Sequence, residues 1–144
     1  MIDITRGDLA DADLLVVPVL AERTIGTGSD AAPDLDAVAD ILDAKGFSGK
    51  AGETAFVQTP GGPTPEVLLV GLGDEVSREQ LRKVAGDVAR TVASYRTVAT
   101  LLHDVDIDGA DEAVALGTLL GAYRFEEYRS EPPPTSFGEL IMVG

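Results

Sequence analysis

The chain has no cysteine and a single histidine, His103, among its 144 residues. Without thiols there is no disulfide, no thiolate nucleophile and no Cys-based zinc site, a pattern that fits a reducing, cytoplasmic setting. Any catalytic arrangement that needs an imidazole would have to use His103. Basic residues are scarce as well, since 25 acidic side chains face 11 basic ones and the formal charge is −14. A surface that negative repels phosphate backbones and anionic membranes, so nucleic acid is not expected as a direct partner. Long apolar runs are also missing. Leu14 to Leu20 is short, is preceded by Asp8, Asp11 and Asp13 where a leader would carry Lys and Arg, and contains Pro18. It reads as a buried strand, and with nothing else long enough to cross a bilayer the chain is expected to be soluble.

The length suits one domain that buries roughly two-thirds of the surface of its unfolded chain. Ile2 and Ile4 alternate with polar residues and predict a short first strand, while the uniformly apolar Leu14 to Val19 predicts a strand buried on both faces. Pro33 then opens a helical pattern through Leu35, Val38, Ile41 and Leu42 that ends at Gly46. Thr54 to Thr59 and Val67 to Leu72 flank the turn-rich PGGPTP and read as a strand pair. Ser77 and Gln80 form a capping-box pattern ahead of the stripe Leu81, Val84, Ala85, Val88, Val92 and Tyr95, with Arg78, Arg82, Lys83 and Arg90 largely off it. Thr97 to Leu102 is the next strand, and strand, helix, strand in that order implies parallel pairing through a crossover.

A second long helix is expected from Asp111 and Glu112, whose charges favour a helix start. Ala113, Leu116, Leu119, Leu120 and Tyr123 are expected to form its buried face, beside a groove at Gly117 and Gly121. Glycine inside a helix costs about 1 kcal/mol relative to alanine, so the pair points either to close approach to the sheet or to simple tolerance. Residues 1–130 are thus expected to form the α/β domain, and 131–144 a linker that starts with Pro132 to Pro134 and ends in a possible last strand, Phe137 to Val143.

Three stretches are candidates for chemistry. In EVLLVGLGDEVSREQLR, a strand meets Gly71 and Gly73 and then a helix start, the layout that can hold a pyrophosphate. The third glycine of the dinucleotide fingerprint is replaced by Val76, no Gly-Lys-Ser/Thr follows, and Asp74 and Glu75 would repel phosphate, so a tight strand-to-helix connection is the competing reading. In DVDIDGADEAV, the carboxylates Asp104, Asp106, Asp108, Asp111 and Glu112 begin like a calcium loop. Ala115 stands where the bidentate glutamate belongs, which favours a solvated acidic loop. His103 follows a strand, a reasonable place for a catalytic group, but no HExxH, Gly-x-Ser-x-Gly or spaced histidine pair supplies it with partners. No catalytic, cofactor-binding or metal-ligating residue is therefore assigned.

Two separated motifs carry a family resemblance. VLLVGLGDEVSREQLRKVAG, through Gly71, Leu72, Gly73, Leu81 and Arg82, and EAVALGTLLGAYRFEEYRS, through Leu116, Gly117, Tyr123, Phe125 and Tyr128, resemble the N-terminal domain of the leucine aminopeptidase family, the two-metal cytosolic exopeptidases. DLDAVADILDAKGFSGKAGET is similar to a third segment of that domain. The resemblance implies a non-catalytic accessory domain that helps assemble hexamers and shape access to active sites. It also implies two divalent metals, zinc or manganese, held by a catalytic domain whose Asn-Thr-Asp-Ala-Glu-Gly-Arg signature is not in this sequence. Some bacterial members add a DNA-binding role, which the −14 charge opposes. The implied fold is a mixed, largely parallel sheet flanked by helices in three layers, macro-domain-like. Macro domains bind ADP-ribose, so a nucleotide-binding module at Gly71 to Asp74 and Gly26 to Ser29 is the alternative. The asparagines of the macro pattern are replaced here by Val17, Pro18, Val19 and Leu20.

Overall fold

In a computed structural model, the structure describes residues 3–7, 12–20, 24–25, 44, 46–47, 50–58, 64–73, 76–92, 95–103, 107–127 and 138–143. Seven strands are described: β1 (Asp3–Gly7), β2 (Leu14–Leu20), β3 (Thr24–Ile25), β4 (Thr54–Gln58), β5 (Glu66–Gly73), β6 (Thr97–Thr100) and β7 (Glu139–Val143). Two helices accompany them, α1 (Arg78–Thr91) and α2 (Ala110–Glu127). The expected helix from Pro33 to Leu42 lies outside the described residues, as do Ile2, Thr59 and Phe137.

The strands form one sheet in the order β1-β7-β6-β2-β5-β4, with β3 added beside the end of β2. From β1 through β5 the neighbours are parallel, and β4 joins β5 antiparallel, as the strand pair around PGGPTP required. The chain therefore leaves β5 through α1 and returns at β6 with β2 between the two strands, then leaves β6 through α2 and returns at β7. The expected last strand is thus an inner strand of the sheet, hydrogen-bonded to β1 on one side and β6 on the other.

Alternation along each strand explains why the central runs carry no polar residue. Leu14, Val16, Leu68, Val70, Leu72, Val98, Leu140 and Met142 face α1 and α2, while Leu15, Val17, Val19, Val67, Leu69, Ala99 and Ile141 face a second core with Phe47, Ala55 and Val57. Each fully buried Leu or Val of these two cores contributes roughly 1.5–3 kcal/mol. Pro18 fits inside a central strand for a specific reason. The carbonyl of Val16 accepts from Leu101 N–H on the β6 side, and Pro18, two residues on, presents its missing N–H to the same side, beyond Val16, the last β2 residue paired with β6.

α1 meets its sequence-based expectation: Leu81, Val84, Ala85, Val88 and Ala89 are buried against the sheet, followed by Val92. Only half of the capping box forms. Ser77 Oγ accepts from the N–H of Gln80, but the Gln80 side chain donates to the carbonyl of Leu72 at 2.8 Å, tying the helix start to the end of β5.

α2 corrects part of its expectation: Ala113 is buried as expected, the three leucines are not, and the Tyr123 side chain lies outside the described residues. Its buried positions are Ala110, Ala113, Val114, Gly117, Thr118 and Gly121, whereas Leu116, Leu119 and Leu120 are 45%, 38% and 45% exposed. The close approach at the glycines is made to α1, not to the sheet. A Cβ on Gly121 would lie 2.5 Å from Gly86 Cα, and one on Gly117 would collide with the Arg82 carbonyl oxygen. Small residues therefore occupy the contact line, and the leucines are displaced to its flanks.

Candidate functional site

In the Gly-x-Gly turn, the Gly71 N–H and carbonyl and the Leu72 carbonyl are engaged inside the protein. Gly71 N–H donates to Glu53 O at 2.7 Å, Gly71 O accepts from Gly52 N–H at 3.1 Å, and Leu72 O accepts from Gln80. Gly73 has φ +78°, where a side chain is strained, and a Cβ there would lie 3.3 Å from Ala51 N. Gly73 thus serves a left-handed turn packed under the Lys50–Glu53 segment, a geometry that accounts for it without a phosphate. Asp74, Glu75 and Gly26 to Ser29 lie outside the described residues.

His103 is half-buried at the end of β6. Its Nε2 lies 2.9 Å from Val143 O, and since a carbonyl only accepts, the imidazole carries a hydrogen on Nε2 and ties β6 to β7. Among the described residues, the depression beside it, about 420 Å³, is lined by Asp108, Asp111 and Glu112 and by no hydroxyl side chain.

The described part of the acidic stretch does not assemble into a ligand set. Asp108 and Glu112 are exposed, and Asp111 pairs with Arg6 across the gap between α2 and β1. Asp104 and Asp106 lie outside the described residues. Among the described residues no group of three or more His, Cys, Asp or Glu side chains could hold a metal ion. The metal pair implied by the family resemblance therefore finds no matching donor set in the described part of this chain.

One concave surface was not foreseen from the sequence. Two depressions, about 620 and 490 Å³, meet at Arg82 along the seam between α1 and α2. Arg78, Arg82, Lys83 and Arg90 stand on the α1 side, Leu116 and Leu120 on the α2 side. The signals were present as two separate spacings, arginines at 78, 82 and 90 and leucines at 116 and 120. What could not be read was that the seam would bring them together.

Residues 16–132 match the model of the cytosol aminopeptidase family, N-terminal domain. The chain belongs to the cytosol aminopeptidase family. A probable cytosol aminopeptidase of Rhodococcus jostii (strain RHA1) is 40% identical over 145 residues, a match covering 90% of this chain and 28% of that protein. The chain thus spans little more than a quarter of the length of that relative. Among solved structures, a tomato leucine aminopeptidase superposes with a TM-score of 0.71 at 21% identity, covering all of this chain and 32% of its own. The bottromycin maturation enzyme BotP in complex with Mn gives 0.66 at 25% identity, over 92% and 27% of the two chains. A Trypanosoma brucei macrodomain in complex with ADP gives 0.63 at 17% identity, over 99% and 64%. The fold is therefore the expected mixed α/β, macro-domain-like one, and the macrodomain likeness is one of fold alone. Among the described residues no helix is long and apolar enough to cross a membrane.

Proposed function

We propose that this chain is the non-catalytic N-terminal accessory domain of a leucine-type metallo-aminopeptidase, contributing to assembly and to active-site access in the complete enzyme. The observation that carries the reading is the family match over residues 16–132, in a relative of which the match covers only 28%. The two divalent metals, zinc or manganese, and all catalytic groups are assigned to a catalytic domain reached through the proline-rich segment after residue 130. The partners are then that domain and the neighbouring subunits of a hexamer, and the compartment is the cytoplasm. On this reading the chain's own contribution is its sheet and the two helices packed on it.

The reading is tested in the Rhodococcus enzyme. Deleting its matching N-terminal region should lower the oligomer mass seen by light scattering and weaken discrimination between short and long peptides in kcat/KM, and grafting this chain in its place should restore both. A deletion variant with unchanged mass and unchanged selectivity would falsify it. The macrodomain likeness motivates one competing reading, a module for ADP-ribose. With the Gly71 N–H and carbonyl and the Leu72 carbonyl already engaged, and Val17 to Leu20 in place of the macro-pattern asparagines, calorimetry of this chain with ADP-ribose should give no saturable heat. A one-to-one isotherm would promote that reading.

A further inference from the structure

The α1–α2 seam combines features that are each uncommon on this molecule. The chain carries −14 overall, yet α1 holds four basic residues, Arg78, Arg82, Lys83 and Arg90, against two acidic ones, Glu79 and Asp87. Among the described residues Arg90 pairs with Asp87, while Arg78, Arg82 and Lys83 have no carboxylate within ion-pair distance. In a protein with such an excess of acid, three unpaired cations on one helix mark a local reversal of the surface potential. Opposite them stand leucines 116 and 120, one helical turn apart and each 45% exposed. Such a pair is an apolar ridge of the kind that anchors a partner side chain.

We propose that this groove docks an acidic peptide segment, its carboxylates meeting Arg78, Arg82 and Lys83 while leucine-sized side chains lie against Leu116 and Leu120. Charge complementarity selects the sign of the occupant, and the leucine wall selects a polypeptide over a nucleic acid, whose backbone offers phosphate but no apolar side chains. Glu79, Asp87 and Glu112 also line the two depressions, which disfavours a continuous polyanion. A segment with a few carboxylates spaced one helical turn apart can meet the arginines and avoid those acids. At physiological salt, screening over about 8 Å mutes the repulsion from the distant acidic surface and leaves contacts inside the groove in force. This inference stands apart from the accessory-domain reading, because it concerns what the seam binds and not which enzyme carries it.

The test is fluorescence anisotropy with a labelled helical peptide of Glu, Leu and Ala, its leucines placed four apart, at physiological salt. The same peptide with Lys in place of Glu and a short single-stranded DNA serve as the other two probes. Saturable binding of the acidic peptide is expected, weakened at least about fivefold by Arg82→Glu and about threefold by Leu116→Ala with Leu120→Ala, with no binding of the Lys peptide. All three positions are exposed, so circular dichroism should report an unchanged fold. The proposal is overturned by absence of saturation up to about 1 mM peptide, by equal binding of the Lys peptide, by tighter binding of the DNA, or by undiminished binding to both variants.

Discussion

α1 and α2 are neighbours that bury themselves by opposite means. α1 lays Leu81, Val84, Val88 and Val92 on the sheet in the usual apolar stripe, and offers Gly86 on another side. α2 packs on α1 through Gly117 and Gly121 and leaves three leucines outside. A helix on a sheet fills a broad surface, so large side chains win the buried face. Two helices whose backbones nearly touch have no room between them, so the contact goes to residues without side chains, and neighbouring leucines are forced outward whatever their hydrophobicity. Leucine content therefore predicts burial only once the nature of the neighbour is known.

The largest expected effect tests that contrast directly. Leu81→Ala removes a side chain with no exposed surface and should destabilise the protein by about 2 to 5 kcal/mol, through lost burial and the cavity left behind. Leu120→Ala removes a side chain of the same size that is 45% exposed, and should change stability by less than about 0.5 kcal/mol. Urea denaturation of both variants measures the two values on one scale. Equal losses would mean that Leu120 is buried and that the outward face of α2 is wrong.

The glycine seam gives a test in which the sign decides. By helix propensity alone Gly121→Ala should stabilise α2 by about 1 kcal/mol. By packing it should destabilise, because the new Cβ falls 2.5 Å from Gly86 Cα and the opposing atoms are backbone that cannot rotate away. Overpacking typically costs about 1 to 3 kcal/mol, so a net loss of up to about 2 kcal/mol is expected in the denaturation midpoint, with an unchanged slope. A stabilised variant would show that the helices are not in close contact.

How much was legible follows from the same physics. The strands at Leu14, Glu66 and Thr97 were readable because a sheet buried on both faces leaves an uninterrupted apolar run, and α1 was readable because one sheet-facing stripe sets its pattern. The left-handed turn at Gly73 was signalled by a strand running into a capped helix, and its φ of +78° bears that reading out. The side-chain half of the capping box was not readable. Gln80 had a free strand-end carbonyl at Leu72 to bond instead, and that carbonyl is near only in the fold. The groove stayed hidden because its walls lie some thirty residues apart, from Arg82 to Leu116, and their juxtaposition depends on Gly86, Gly117 and Gly121 meeting.

The smallest effect belongs to the exit of α1, where the helix is tied back to the sheet by an aromatic pair. Tyr95 stacks on Phe56 with ring centroids 6.1 Å apart, and its phenol donates to Glu66 Oε1 at 2.5 Å. Burial, the hydrogen bond to Glu66 and the negative charge of that carboxylate together push the phenol up from 10.0 to about 12. The folded state thus holds the phenol's proton more tightly than the unfolded chain does. Its contribution to stability is fully present below pH 10 and is lost as the pH rises toward 12. Melting temperatures should therefore fall more steeply between those limits in the native chain than in Tyr95→Phe. Glu66→Gln, which removes the charge and weakens the hydrogen bond, should bring the phenol down in an ultraviolet phenolate titration, read as the difference from Tyr95→Phe so that Tyr123 and Tyr128 cancel. A titration in which Glu66→Gln leaves the Tyr95 midpoint unmoved would show that burial alone holds the phenol neutral, and that the exit of α1 is anchored by packing and not by the Glu66 bond.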